Sequence, residues 1–311
     1  MRSTERAAAR HLSWALCILW TVCLQPIQQE AIIVRLFTQL GIGLVLSGAI
    51  ALLAYKRESL SRSGVLGAVL IGTAIFGFGG WAWGMLLITF FVLSSLLSHY
   101  KETAKQELAE KFAKGHRRDL GQTLANGGAG ALLALAYLAV PDPLVFAAFV
   151  GAMATVNADT WATELGVLSR RAPRLVTTWQ TVEVGTSGGV SGLGTLASLA
   201  GALAIGLAGL IFLALDELFG GPGRALDTLW ILPASALGGL AGALADSLLG
   251  ATVQAIYFCP TCDKETEKTL HGCGAATEHA RGWRWLDNDM VNFLSSLAGA
   301  GLAALLVWAL R

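Results

Sequence analysis

Long uninterrupted apolar runs, parted by short clusters of charge, fill the chain from Leu12 to a final helix-length segment at Met290–Leu310. About 20 apolar residues in a row cross ~30 Å of bilayer hydrocarbon as an α-helix, the one open structure that satisfies its backbone groups without water. The pattern predicts a short first run at Leu12–Leu24 and further spans at Leu36–Tyr55, Gly64–Gly77, Trp81–Ser98, Gln122–Val140, Leu144–Glu164, Ser191–Leu215, Leu229–Ile256 and Met290–Leu310. Only Phe78-Gly79-Gly80 joins the second and third of these further spans, which predicts a tight turn. The expected fold is all-α, a polytopic membrane bundle of about eight to nine transmembrane helices.

The first run follows Arg2, Arg6 and Arg10 and ends at Gln25-Pro26-Ile27, where no small-x-small cleavage site is present. It reads as an uncleaved signal anchor. Residues 1–35 then form an anchor and short external segment, and residues 36–311 the polytopic domain. With the anchor retained, the N-terminus is cytoplasmic.

Composition agrees with the pattern: 54% of residues are apolar and 14% charged, against a usual ~25% charged in soluble domains. A net charge of +1, split among short loops, gives no reason to expect nucleic acid as a partner. Charge does fix an expected orientation, since Lys and Arg concentrate in cytoplasmic loops. Loops 56–63, 99–121, 165–190 and 257–289 carry them, while the turns at 78–80 and 141–143 carry none and 216–228 only Arg224. The expected location is the plasma membrane. Residues 101–114 alternate charge signs with Leu108 and Phe112 four apart, as suits a short helix along the membrane surface or a solvated helical connector.

Several polar residues sit where they are costly. The span Leu144–Glu164 ends Asn157-Ala158-Asp159-Thr160-Trp161-Ala162-Thr163-Glu164, with Asp159 ~7 Å deeper than Glu164. Asp246 lies ~15 Å inside its span, counted from Ile256. Ala234, Gly238 and Gly242 precede it at four-residue intervals and allow another helix close. The last span opens Asp287-Asn288-Asp289, and Asp289, Asn292 and Ser296 make a polar stripe, with one of the opening residues serving as N-cap. Intramembrane carboxylates of this kind are paired, hydrated or metal-bound.

Gly185-Thr186-Ser187-Gly188-Gly189-Val190-Ser191 leads straight into the seventh span. Glycines permit a nest of backbone N–H groups, and a helix N-terminus adds positive partial charge, so this loop is a candidate phosphate cradle. It lacks the Gly-Lys-Ser ending of a Walker A loop. Gln122, Asn126, Gly127 and Gly128 lie at the same level, and Arg170, Arg171 and Arg174 are nearby in sequence. Acids that hold Mg²⁺, beside amides and arginines that hold phosphate oxygens, describe a phosphoryl- or nucleotidyl-transfer site. Separately, Cys259, Cys262, His271 and Cys273 offer four N/S ligands within one loop, a candidate structural Zn²⁺ knuckle, with free thiols as the plain alternative.

Four segments taken together, ADTWATELG, GTSGGVSGLGT, ADSLLGA and WLDNDMVNF, resemble the integral membrane family of transmembrane protein 19 and the plant phytyl-phosphate kinase of tocopherol synthesis. The resemblance covers roughly residues 36–310. It implies phosphorylation of an isoprenoid monophosphate to the diphosphate by a nucleoside triphosphate, CTP or ATP, with Mg²⁺. By motif match it implies site roles for Asp159, Glu164, Gly185–Ser191, Asp246, Asp287, Asp289 and Asn292. The cysteine cluster is outside the family pattern and inherits no role. Two other readings use the same residues: an ion-coupled transporter or lipid translocase, with Asp159 and Asp246 as ion ligands, and a lipid-phosphate cytidylyltransferase.

Overall fold

A computed structural model of the chain describes residues 25–100, 117–218 and 228–311. The Leu12–Leu24 anchor and the surface helix expected at 101–114 lie outside the described residues. Eight helices follow in order: α1 Gln25–Lys56, α2 Arg62–Ala74, α3 Trp81–His99, α4 Leu120–Ala139, α5 Pro143–Gly166, α6 Gly192–Leu218, α7 Ile231–Thr252 and α8 Asn288–Leu310. They match the eight further spans predicted. Among the described residues seven are long and apolar enough to cross a membrane. The exception is α4, 20 residues long, whose apolar run is diluted by Gln122, Asn126 and its glycines. The protein is a polytopic helical membrane bundle.

The turn between α2 and α3 is tighter than predicted. After Ala74 the chain stays helical as a π turn, Ile75–Gly79, and reverses at Gly80, whose φ of +90° suits a residue without Cβ.

α5 runs through the middle of the bundle. Asp142 caps it, accepting from the Leu144 amide at 2.7 Å, with Pro143 in the first turn where a missing N–H costs nothing. From Phe146 to Ala158 it is buried without a break, as befits a helix apolar on every side. It packs against α3, α4, α6, α7 and α8. Lipid tails give helices no hydrophobic reason to associate, so close van der Waals contact must do so. Gly242 of α7 and Gly299 of α8 both press on Thr155, leaving no room for a Cβ, and a Cβ on Gly238 would stand 2.9 Å from the Gly299 carbonyl oxygen. The small-residue face predicted before Asp246 is therefore a packing surface for α5 and α8. Outward faces carry exposed Phe37, Val45, Leu52, Leu70, Leu196 and Leu305, the expected side chains for contact with lipid.

The two ends of the bundle differ. At one, Trp83 stacks on Phe149 with ring centroids 4.2 Å apart, Trp81 Nε1 donates to Asp216 at 2.9 Å, and Arg311 meets Asp142 at 3.0 Å. The other end gathers the long loops and the only described strands. β1 Arg174–Leu175 pairs antiparallel with β2 Gly189–Val190. β3 Ile256–Cys259 is the centre of a three-stranded antiparallel sheet with β4 Lys264–Thr266 and β5 Glu278–Arg281 on either side. These strands are the one addition to the all-helical expectation, and they are confined to the loop end.

Candidate functional site

At the loop end, a cavity of about 590 Å³ opens among α3, α4, α5, α6, α7 and α8. The N-termini of α4, α6 and α8 reach it, and each contributes positive partial charge. Asp119 caps α4 in a reciprocal box with Gln122, at 3.0 and 3.2 Å, which sets Gln122 at the cavity wall and Asn126 one turn deeper. Ser191 caps α6 by accepting from the Gly194 amide at 3.1 Å.

The structure brings Asp159, Glu164 and Asp246 together on this cavity, with Asn126, Asn292 and the whole loop Gly185–Ser191. Ser295 donates to Asp246 at 3.2 Å. Glu164 accepts from Ser98 at 2.7 Å and lies within electrostatic reach of Arg118. Arg118 is 9% exposed, donates to Ser95 at 3.1 Å, and sits over the Phe91 ring. Burial pulls its pKa down and Glu164 opposes that, and a guanidinium stays protonated under either influence.

Three residues that sequence reasoning passed over belong here. Arg118 had counted only as loop charge, yet it lines the cavity, whereas Arg170, Arg171 and Arg174 are exposed and do not. Glu267, just after β4, reaches back to the cavity and accepts from Gln254 Nε2 at 2.8 Å. Gln254 in turn accepts from Ser187 Oγ of the glycine loop at 3.0 Å. Asp159, Asp246 and Glu267 all line the cavity, within electrostatic reach of one another.

Two predicted residues are placed elsewhere. Asp287 is the N-cap of α8, accepting from Met290 at 3.0 Å, and neither it nor Asp289 lines the cavity. The helix face toward the site runs Asn288, Asn292 and Ser295 instead of Asp289, Asn292 and Ser296. Asn157 points away into α6, where it donates to the Gly201 carbonyl at 2.7 Å.

The glycine loop has the geometry of a cradle. Gly185 and Gly188 take positive φ, +85° and +81°. Gly189 N–H is used within the loop on Thr186, while the amides of Ser187 and Gly188 make no backbone hydrogen bond among the described residues. Ser198, 3% exposed on the α6 wall, has a hydroxyl with no hydrogen-bond partner among the described residues. An orphaned buried donor, two amides and an all-oxygen acidic set suit a phosphate and a hard cation such as Mg²⁺.

A second, apolar groove lies beside the cavity between α1, α2, α3 and α4, with Leu46, Ile50, Ala68, Ile71 and Leu87 in its walls and a free volume of about 90 Å³. Arg118, Gln122 and Asn126 line both. Leu46 is exposed, so the groove continues onto the lipid-facing surface.

Away from the cavity, Cys259, Cys262, His271 and Cys273 place one ligand atom each within 4.8 Å of all the others. Hydrogen bonding to Cys273, with burial, pushes the Cys262 thiol up to about 11. Burial acts the same way on Cys259, but hydrogen bonds from the Cys262 and Thr261 amides and the Cys273 and Cys262 thiols together outweigh it and lower that pKa.

The profile of an integral membrane protein family, DUF92, matches residues 45–300. Protein PGR of Arabidopsis thaliana is 36% identical over 84% of this chain and 93% of its own length. An uncharacterized membrane protein of Methanocaldococcus jannaschii is 37% identical over 70% of this chain and 83% of its own. Protein VTE6, chloroplastic, also of Arabidopsis thaliana, is 30% identical over 79% of this chain and 65% of its own. No solved structure matches the chain. The profile covers every residue that lines the cavity and most of the bundle around it, and on that ground the chain belongs to the DUF92 family of integral membrane proteins.

Proposed function

We propose that this protein is a prenyl-phosphate kinase, moving a phosphoryl group from a nucleoside triphosphate, ATP or CTP, to an isoprenoid monophosphate. The observation that carries the reading is the shared wall: Arg118, Gln122 and Asn126 line a polar cavity on one side and an apolar groove on the other. A ligand filling both has a phosphate joined directly to a hydrocarbon chain. Supporting it is the relationship to the family whose plant branch contains the phytyl-phosphate kinase.

The chemistry asks little of the side chains beyond charge and position. A phosphate monoester has a second pKa of about 6, so its attacking oxygen is largely ionised at neutrality and needs no strong base. The barrier is repulsion between two anions. Arg118, the Ser187 and Gly188 amides and the N-terminus of α6 bind phosphate oxygens and offset that repulsion. Asp159, Asp246 and Glu267 are the residues that would hold Mg²⁺, which when bound neutralises charge on the transferring group. The apolar groove fixes the first carbons of the tail, so the phosphate is presented at one depth. The Lys and Arg of the loops at this end favour a cytoplasmic orientation, where nucleoside triphosphate is available.

Competition binding tests the bipartite site. With Mg²⁺ present, a prenyl monophosphate should bind at least about tenfold more tightly than the prenol or inorganic phosphate alone, ~1.4 kcal/mol. Equal affinity for prenol and prenyl phosphate would remove the basis of the reading.

A further inference from the structure

The four-residue cluster Cys259, Cys262, His271 and Cys273 sits on the small sheet that also delivers Glu267, and nothing in the phosphate site uses it. Cys259 Sγ and Cys273 Sγ are 3.7 Å apart, and His271 Nδ1 is 3.2 Å from Cys273 Sγ. A tetrahedral zinc with Zn–S ~2.3 Å and Zn–N ~2.0 Å requires ligand separations of ~3.8 Å between sulfurs and ~3.5 Å between nitrogen and sulfur. Those two separations are within a few tenths of an ångström of a closed Cys₃His site, and all four ligand atoms already lie within 4.8 Å of one another.

Away from its central strand, the segment around the cluster is thinly packed. β4 and β5 are largely exposed, and Leu270 is 61% exposed. β3 buries Ile256, and Arg281 Nη1 of β5 donates to the Gly250 carbonyl at 3.2 Å, which anchors the inner part of the sheet and leaves its outer turns to the cluster. Cys259 and Cys262 bracket the β3–β4 turn, where Asp263 takes a φ of +56° and its amide bonds to Cys259 O at 2.9 Å. His271 and Cys273 bracket the next turn, with Gly274 N bonded to His271 O at 2.9 Å. One ion on these four atoms ties the two turns together. Glu267 lies between them, and its contact runs on through Gln254 to Ser187 of the glycine loop.

We infer that these four residues bind one structural Zn²⁺, and that the ion fixes the sheet so that Glu267 is held at the cavity. The four ligands leave no open position, so zinc here takes no part in chemistry. The inference is independent of the kinase reading, and its test uses no turnover.

Full-length protein purified in detergent without chelator should carry about one zinc per chain, falling at least about tenfold in Cys262→Ser. Wild-type protein stripped and reloaded with Co²⁺ should show the visible absorption of a tetrahedral thiolate site, a readout that does not depend on the variant folding. Stripping zinc should speed amide exchange in residues 256–281 at least about tenfold while leaving α5 unchanged. Absence of zinc together with a featureless Co²⁺ spectrum would overturn the metal site. Bound zinc whose removal leaves exchange around Glu267 unchanged would overturn its positioning role.

Discussion

Gly188 lies so close to Ala251 that a Cβ on it would stand 2.5 Å from the Ala251 Cβ and 2.6 Å from its amide nitrogen. Its φ of +81° adds backbone strain to any substitution. The glycine loop is thereby pressed onto the end of α7, the helix that carries Asp246. Gly188→Ala should lower phosphoryl transfer at least about tenfold and stability by ~1–3 kcal/mol. Gly192→Ala, with nothing near its added methyl, serves as the control and should change neither.

The acids should divide by position. Asp246→Asn keeps shape and removes a charge beside Asp159 and Glu267, so turnover should fall at least about 100-fold, ~2.7 kcal/mol. Asp287→Asn keeps a good N-cap and removes a carboxylate that does not line the cavity, so turnover should stay within about threefold. Steady-state rates over a Mg²⁺ titration check both. Equal loss in the two variants would contradict the placement of α8.

The groove predicts a dependence on chain length. Each buried methylene contributes ~0.8 kcal/mol, about fourfold in affinity. A free volume of about 90 Å³ takes only the carbons nearest the phosphate. Affinity measured over a series of alkyl phosphates should therefore climb steeply for the first few carbons and then flatten. Ala68→Phe, which narrows the groove, should shorten the climb; an unchanged series would place the tail elsewhere.

At the far end, the Leu144 amide and then Arg311 hold the Asp142 carboxyl below its ordinary pKa. A carboxylate with a lowered folded pKa binds fewer protons in the native state than in the unfolded state, so its stabilisation is present above the unfolded value and lost as pH falls through the folded one. Thermal unfolding should show Asp142→Ala less stable than wild type at neutral pH, with the gap closing in acid below about pH 4. A gap that widens in acid would contradict this.

The fold was legible because lipid imposes length and apolarity on every span, and small residues before Asp246 marked a close helix contact. Asp159, Glu164 and Asp246 were visible because ionisable groups at those depths need a partner. Arg118 was not, since its burial depends on contacts with residues 59–61 and Ser95 that spacing does not reveal. Glu267 was hidden for a similar reason: the sheet that folds it back is built from short strands with weak alternation. At α8 two stripes share Asn292, one through Asp289 and one through Asn288 about 100° away, and spacing alone does not say which of them faces the cavity.

Turnover tests the central claim most directly. Purified wild-type protein with Mg²⁺, labelled ATP or CTP, and phytyl or geranylgeranyl phosphate should yield labelled prenyl diphosphate, one per nucleotide consumed. Asp246→Asn, equally well folded, should yield almost none. Release of a cytidylylated lipid instead would identify nucleotidyl transfer at the same cavity and contradict the kinase reading. Well-folded wild-type protein that consumes no nucleotide with any of these substrates would contradict the account altogether.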